Sequence, residues 1–437
     1  MKTRTGMHLL VFLLFLSASS LGLWAQQSTD PALGNLKDPN KKIRKEAAAD
    51  LGVLGKQEAI DVLDEAFRAE SDPDVRGEIL LSLGKIRDRA GLKTLTRALV
   101  SDVSKDVRLQ AIDSILRLYI PIEEPGILRR FLGGVKSIFA ENEQLVVEPY
   151  VGVDKEAKES LSKALLDRDS QVRENAAKAL GSLRASDQIP AMDQALSVSN
   201  RETRVALVKS LGMIRDEKAG PILLRQLNDR DKEVVRQSAI SLGLVKFNAG
   251  RQGLRQLFSS SKEKDLKRAA AEGLAMIHDP AEKDFFLELL RNDFDDKLRE
   301  FGAEGLARIA DPSVEQAVRD RLTSETKSNV KTALYFTLIS LGKTDYLPPL
   351  VEALTAHFTN QAEVYLFEIG KHQKRVDLLY PFLNSNEPKI RAGILRVLGN
   401  IGNFEAFEKV KPLAADKNSD VAREAVQTMR TLERLRP

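Results

Sequence analysis

The sequence predicts an all-α fold, a right-handed α-solenoid superhelix of about 12–13 short helix pairs. Three features support this prediction: a repeat of 29 to 32 residues, apolar residues at helical spacing within it, and Asp-Pro pairs at expected helix starts. A unit of this length cannot bury an apolar face alone. Neighbouring units must therefore stack to form a shared core.

The repeat is marked by an apolar residue and an arginine that are followed eight residues later by Leu-Gly, as in Val75-Arg76 to Leu83-Gly84. The first apolar residue of each copy lies at 43, 75, 107, 172, 203, 234, 266, 298, 330, 361, 390 and 421. Without the copy at 361, 41 of 44 positions at the start, +4, +8 and +11 are apolar, the exceptions being Thr203, Ser238 and Gly302. This spacing predicts a first helix, A, of about 14 residues in each repeat.

A second helix, B, is predicted after a short break. Asp279-Pro280 and Asp311-Pro312 supply an N-cap acceptor and a proline at the first helical position of B. Asp38-Pro39 and Asp72-Pro73 are expected to do the same before helix A.

Residues 169–181, Asp-Ser-Gln-Val-Arg-Glu-Asn-Ala-Ala-Lys-Ala-Leu-Gly, resemble the short HEAT repeat of the phycobilisome-lyase type. The resemblance extends over about residues 36–437, and the copy at 361 departs from it with Gln361 at the start and His372 at +11. It implies a binding scaffold in most cases and, in a minority, action on bilin chromophores.

Composition excludes several kinds of chemistry. There is no cysteine for a disulfide, thiolate site or nucleophile, and 67 Lys and Arg against 63 Asp and Glu gives no basic footprint for nucleic acid. His278, His357 and His372 have no metal-ligand spacing, and no nucleophile elbow or P-loop occurs. We therefore expect no enzyme activity, no cofactor and no metal.

The N-terminus resembles an export signal. Lys2 and Arg4 precede an apolar run at 9–16 and a small-residue stretch, so residues 1–25 are predicted to be a signal peptide and 26–35 a short linker. We expect a periplasmic or secreted protein with no membrane span in the mature chain. The alternative is an uncleaved N-terminal anchor that faces the periplasm.

A basic residue follows the apolar start in most repeats. We expect these side chains to form a structural ladder in which each contacts an acidic or carbonyl group of the adjacent repeat, and the alternative is an anion-binding stripe. The arginines of this ladder are Arg44, Arg76, Arg108, Arg173, Arg204, Arg299 and Arg391, and lysine stands in the slot at Lys267 and Lys331. Glycine at +9, as in Gly84 and Gly181, indicates close helix packing.

One interval between repeats is 65 residues long. Helical spacing at 127–138 predicts a B helix, and a B-like helix returns at 154–166, so one repeat is expected to have exchanged its A helix for a non-repeat insertion at about 139–153. This insertion contains β-branched residues with Pro and Gly, which favour an extended loop or hairpin. The candidate partner-binding residues, by strand addition, are Leu145, Val146, Val147, Tyr150 and Val151. The alternative is an insertion that only covers a groove or a stacking defect.

Ten aromatic residues lie between positions 335 and 407 and are either binding anchors or core filler. The function predicted first is a non-catalytic adaptor that binds a protein or peptide partner on a concave face lined by B helices. The alternatives are an enzyme or subunit of the bilin-lyase type, and a structural spacer. We expect a monomer.

Overall fold

The computed structural model describes residues 29–120, 147, 151–356 and 359–436. Regular structure in these ranges is helical throughout, which confirms the predicted all-α α-solenoid. The described helices form two compact units, unit 1 ending at Ile214 and unit 2 beginning at Arg215. The predicted signal peptide lies outside the described residues, and the assignment of 36–437 to a single solenoid stays a prediction.

All twelve predicted A helices are present in the described ranges, and each begins two residues before its predicted apolar start. Their bounds are Lys41–Leu54 (α2), Pro73–Ile86 (α4), Lys105–Tyr119 (α6), Ser170–Ser182 (α8), Arg201–Ile214 (α10), Lys232–Leu244 (α12), Lys264–Ile277 (α14), Asp296–Ile309 (α16), Ser328–Ser340 (α18), Thr359–Phe367 (α20), Pro388–Ile401 (α21) and Ser419–Arg434 (α23). The copy at 361 departs as its sequence indicates, because α20 continues as a π-helix over Glu368–His372.

Side-chain caps explain where the A helices start. The Asp72 carboxylate accepts hydrogen bonds from the amides of Asp74 and Val75 at 2.9 and 3.4 Å, as predicted for an N-cap. The same prediction for Asp38 is wrong, because Asn40 caps α2 and Asp38 instead accepts the Asn40 amide at 2.7 Å. Asp38 thus takes the place of a loop acid that, in other repeats, lies two residues before the cap.

The B helices are shorter and less regular. Their bounds are Thr29–Asn35 (α1), Ala59–Ala69 (α3), Leu92–Ser101 (α5), Lys155–Ala164 (α7), Ile189–Val198 (α9), Gly220–Gln226 (α11), Arg251–Ser260 (α13), Lys283–Asn292 (α15), Glu315–Ser324 (α17), Leu347–Glu352 (α19) and Phe407–Val410 (α22), with a 3-10 helix at Val376–Asn384 in the remaining repeat. Asp279 and Asp311 each cap a 3-10 turn that leads into α15 and α17, with the proline first in the turn as predicted.

Two boundary predictions change. Residues 29–35, assigned to a linker, form α1, which packs against α2 and leads to the buried Leu36. The helix α7 packs against α5, and α8 packs against α6, so α7 is the B helix of the repeat that starts with α6. The prediction that one repeat exchanged its A helix for the insertion is therefore wrong. The extra residues lie between helix A (α6) and helix B (α7) of the same repeat. The candidate helix at 127–138 lies outside the described residues.

Neighbouring A helices approach one another very closely. A Cβ atom added to Gly84 would lie 2.9 Å from Ser114 Cα, and one added to Gly243 would lie 2.8 Å from Gly273 Cα. The Ser82 hydroxyl donates to the Ala48 carbonyl at 2.7 Å across such an interface. The close-packing interpretation of glycine at +9 is thus confirmed at these positions.

The exception at Gly302 has a packing cause. A Cβ atom there would lie 2.9 Å from the Phe286 carbonyl oxygen, and one at Gly305 would lie 2.6 Å from the Phe286 ring. Phe286 is fully buried. Glycine therefore replaces the usual apolar residue at 302 because the backbone of α15 lies against it, and the Phe286 ring fills the space beside Gly305.

Candidate partner-binding site

The ladder predicted from the basic slot has a consistent geometry. Arg76 Nε and Nη2 donate to the Asp102 carboxylate of the next repeat at 2.9 and 3.0 Å. Its Nη1 donates to the carbonyls of Glu70 and Ser71 in the loop before α4. We use the word rung for such a contact between neighbouring repeats. The complete rungs are Arg44–Glu70, Arg76–Asp102, Arg108–Asp167, Arg299–Glu325 and Arg391–Asp416.

The acid of each complete rung is itself held in place by its loop. The Ser104 amide donates to Asp102 Oδ1 at 2.9 Å, and the Asn418 amide donates to Asp416 Oδ1 at 2.8 Å. The arginine of the preceding repeat then donates to both oxygens of that carboxylate. Because two bonds are made side by side, the geometry selects a planar guanidinium.

The most buried rung is Arg299–Glu325, whose side chains are 7% and 1% exposed. Burial by itself raises the pKa of Glu325, but hydrogen bonds from Arg299, the Lys327 amide and Arg321 outweigh it and lower the pKa to about 2. Glu325 is therefore ionised at neutral pH, and the pair holds two neighbouring repeats together.

The rungs at Arg173 and at Lys267 are incomplete. Arg173 donates to the carbonyls of Asp167 and Arg168, but the place of the next repeat's acid is taken by Ser199, whose hydroxyl is buried without a hydrogen-bond partner. Arg204 donates to the Ser199 carbonyl at 3.1 Å. The second incomplete rung has lysine in place of arginine.

We name this second position, Lys267 with Asp293, the open rung. The Asp295 amide donates to Asp293 Oδ1 at 2.8 Å, so the acid is held as in the complete rungs. The Lys267 ammonium instead lies over the Phe258 ring, 5.4 Å from its centroid, and forms no ion pair within 4 Å among the described residues. The Asp293 carboxylate therefore receives no guanidinium from the described residues.

A pocket of about 520 Å³ opens at this position, between the consecutive B helices α13 and α15. Phe258 and Phe285 meet edge to face in it at 5.0 Å, and the Arg255 guanidinium lies 4.1 Å from the Phe285 centroid. Lys267, Glu288 and Asp293 complete its charged lining. The pocket thus combines aromatic surface with two cations and two carboxylates.

The A helices α12 and α14 meet at Gly243 and Gly273 without room for a side chain, whereas the pocket lies between the B helices α13 and α15. The predicted concave face of B helices stays a prediction.

An exposed aromatic residue follows the pocket directly. Phe294, next to Asp293, has a fully exposed side chain although its carbonyl accepts from Arg299 Nη1 at 3.1 Å. A phenylalanine that contacts water on all sides costs free energy in the isolated protein. In sequence it directly follows Asp293, which lines the pocket.

A second charged region lies on the A helices of unit 2. The Tyr365 hydroxyl donates to Glu304 at 2.6 Å, and Arg308 donates to both Glu304 and Glu368. Burial, and next the negative charge of Glu304, raise the pKa of Glu272 to about 8. These groups satisfy one another within the helix row, and Glu272 can carry a proton near neutral pH.

The predicted recognition segment is only partly described. Leu145, Val146 and Tyr150 lie outside the described residues, and Val151 is half-buried. Val147 is 5% exposed and its amide donates to the Ser182 carbonyl at 2.8 Å. The amide and side chain of Val147 are thus in contact with the C-terminal end of α8, and the partner-binding role of this segment stays a prediction.

The aromatic region near the C-terminus has an internal role where it is described. Phe336 and Tyr365 stack at 4.6 Å and are buried, and none of the nine described aromatic residues between 335 and 407 is exposed. The interpretation as core filler accounts for these residues.

The described part of the chain was compared with the requirements of a metal site and of a membrane-spanning helix. No group of three or more His, Cys, Asp or Glu side chains there is placed to hold a metal ion. No helix in the described ranges has the length and apolar character to cross a membrane. His278 ends α14, with Nδ1 2.8 Å from the Met276 carbonyl, and His357 lies outside the described residues.

A family model described as HEAT repeats matches residues 29–115, 158–243, 227–300 and 283–364, which together make up more than half of the chain. The chain belongs to the HEAT-repeat family. The resemblance drawn from residues 169–181 is thereby confirmed. Residues 116–157, which separate two of these matches, include the whole predicted insertion at about 139–153 in this HEAT-repeat protein.

Solved structures of similar fold are distant in sequence. A chain of the Kap95p–RanGDP structure has 17% identity over 94% of this chain and 55% of its own, with a TM-score of 0.47. An engineered protein has 18% identity over 93% and 98%, with a TM-score of 0.33. The CpcE–CpcF complex of phycocyanin lyase from Nostoc has 22% identity over 56% and 86%, with a TM-score of 0.28. No curated protein sequence gives a significant match.

The pocket was not found by sequence reasoning, although one signal was present. Lys267 interrupts a series of arginines, and such a change in a repeated slot marks a position where the shared contact is absent. The approach of Phe258, Phe285 and Arg255 requires the packing of α13 against α15.

Proposed function

We propose that this HEAT-repeat protein is an exported, non-catalytic scaffold that binds a protein partner through the pocket between α13 and α15 and the adjacent Phe294. The observation that carries the proposal is a fully exposed phenylalanine beside a pocket lined by aromatic and charged groups. Aromatic and arginine side chains supply most of the binding energy at protein interfaces. Stacked repeats present such groups on an extended surface.

Export is the second part of the proposal. It is supported by Lys2 and Arg4 before the apolar run at 9–16. Mass spectrometry of the native protein should find a new N-terminus at Gln26. An intact Met1 in a membrane fraction would instead support an N-terminal anchor.

Partner binding can be tested with a photo-crosslinking amino acid. It is placed at Phe294 in the full chain, and the cells are irradiated before the envelope fraction is isolated. We expect a discrete adduct that contains one reproducible partner. The matched control places the same amino acid at Val53, which is also well exposed but belongs to unit 1 and does not line the pocket.

Adducts of equal yield at both positions, or none at Phe294, would contradict a partner site at the pocket. The alternatives from the sequence have their own tests. A change in the visible absorbance of a bilin on mixing with the mature protein would support the lyase-type function. Light scattering checks the expected monomer.

A further inference from the structure

The complete rungs show what an ordered carboxylate in this loop binds. In Asp102, Asp167 and Asp416 alike, a loop amide donates to Oδ1, and a guanidinium then bridges Oδ1 and Oδ2 at 2.8 to 3.0 Å. The three acids differ in their neighbours but share this geometry. The loop therefore presents a receptor for a planar guanidinium group.

Asp293 keeps this receptor without its ligand. Its Oδ1 accepts the Asp295 amide at 2.8 Å, like the acids of the complete rungs. No guanidinium among the described residues contacts Asp293. The basic slot of the preceding repeat holds a lysine, Lys267, and the neighbouring Arg268 pairs with Asp295 instead. Asp293 is also one of the residues that line the pocket.

The pocket has both the room and the surface for an arginine side chain. Phe258 and Leu289 offer apolar area to the methylene stem, and about 520 Å³ is far more than one guanidinium fills. Lys267 is directed to the Phe258 ring. Two carboxylates, Glu288 and Asp293, balance Lys267 and Arg255 in the lining, so an added cation does not meet a net positive site.

We propose that the open rung is a receptor for an arginine side chain of the partner protein, which pairs side by side with the Asp293 carboxylate. The incoming guanidinium replaces the arginine that the neighbouring repeat lacks. Phe294 contacts the partner next to it. The inference rests on the proposed function only for the source of the arginine.

A small probe tests the site without the partner. N-acetyl-arginine amide is titrated into the labelled full chain, and amide NMR shifts near Asp293 and Phe258 are followed. We expect saturable binding with a dissociation constant of about 1–10 mM, as suits one charge-assisted pair. N-acetyl-lysine amide should bind more weakly, because a point charge makes no paired bonds.

Two variants locate the binding. Asp293→Asn should weaken arginine binding about tenfold or more, since the charged acceptor is lost. Lys267→Arg should also abolish it, because an arginine in this slot reaches the acid of the next repeat, as Arg299 reaches Glu325. The matched control is Asp284→Asn. Asp284 is an exposed carboxylate on α15, the helix that precedes Asp293, and its change should leave arginine binding unchanged.

The outcomes separate the alternatives. No binding by the wild type, or equal binding by Lys267→Arg, overturns the proposal. Binding of N-acetyl-aspartate amide in place of the arginine probe shows an anion site at Lys267 and Arg255, and also overturns it. If Asp293→Asn fails to fold, Lys267→Arg still decides the matter. Arginine binding without a crosslink at Phe294 would support this site and contradict the proposed partner surface.

Discussion

The Arg299–Glu325 rung and the open rung at Lys267–Asp293 lie one repeat apart in unit 2. Both acids accept a hydrogen bond from a loop amide two residues further on. Only the first is closed, by a guanidinium that donates twice. The two positions differ in the slot residue, which is arginine in the closed rung and lysine in the open rung. The carboxylate of the open rung is not bound by a guanidinium from the described residues.

The incomplete rung of unit 1 has the opposite defect. Arg173 is present with its two carbonyl acceptors, but Ser199 replaces the acid. The three positions show that either partner can be absent while the repeats still stack, because the buried apolar rows supply most of the stabilisation. The rungs align neighbouring repeats, and an incomplete one leaves a polar group for another use.

The largest effect is expected from Arg299→Ala. This change leaves the Glu325 carboxylate buried with Arg321 as its remaining cation, so the free energy of unfolding should fall by about 3 kcal/mol. Urea denaturation followed by circular dichroism measures it. Arg68→Ala, at an exposed ion pair, is the control and should change stability by less than about 1 kcal/mol. A similar small loss for Arg299→Ala would show that the buried rung contributes little.

The second largest effect is expected from lowering the pH, which should weaken the Arg299–Glu325 rung. The pKa of Glu325 is lowered to about 2 in the folded protein, whereas an unfolded glutamate titrates near ~4.3. The stabilisation is therefore complete above pH ~4.3 and is lost as the pH falls towards 2. The difference in unfolding free energy between the wild type and Glu325→Gln should be constant above pH ~5 and decrease below it. A difference that does not vary with pH contradicts the pairing.

Lys267→Arg should convert the open rung into a closed one. Two charge-assisted hydrogen bonds to Asp293 should raise the free energy of unfolding by about 1.5 kcal/mol, with a higher melting temperature. The double variant with Asp293→Asn should lose most of that gain. An arginine that brings no gain would contradict the open rung as a site that accepts a guanidinium.

The smallest effect is expected for Arg173→Ala. This side chain donates to two carbonyls without an acid, so its loss should cost about 1 kcal/mol and leave the helical circular dichroism unchanged. Thermal melting of the two proteins side by side measures the loss. A loss as large as that of Arg299→Ala would erase the distinction between complete and incomplete rungs.

Much of the fold could be predicted from local pattern. The starts of the A helices follow from apolar spacing and from the Asp-Pro and Asp-x-x-Val signals, which act within one helical turn. The position of the insertion within its repeat was predicted less well. Apolar residues at helical spacing, as at 127–138, give the same sequence pattern whether or not they form the B helix of the repeat. That position is decided by the contact of α7 with α5, which is not local.

The sequence by itself determined the repeat, its period, the helix pairs and the position of each basic slot, since these depend on spacing along the chain. Only the tertiary structure decided which slots form rungs. Arg108 pairs with Asp167 across the insertion, 59 residues away, whereas Asp293, in the pocket with Phe258 and Phe285, accepts the Asp295 amide but no guanidinium from the described residues. The physical reason is that a rung needs a guanidinium and a loop carboxylate from different repeats within hydrogen-bond reach, and that distance is set by how the helices stack.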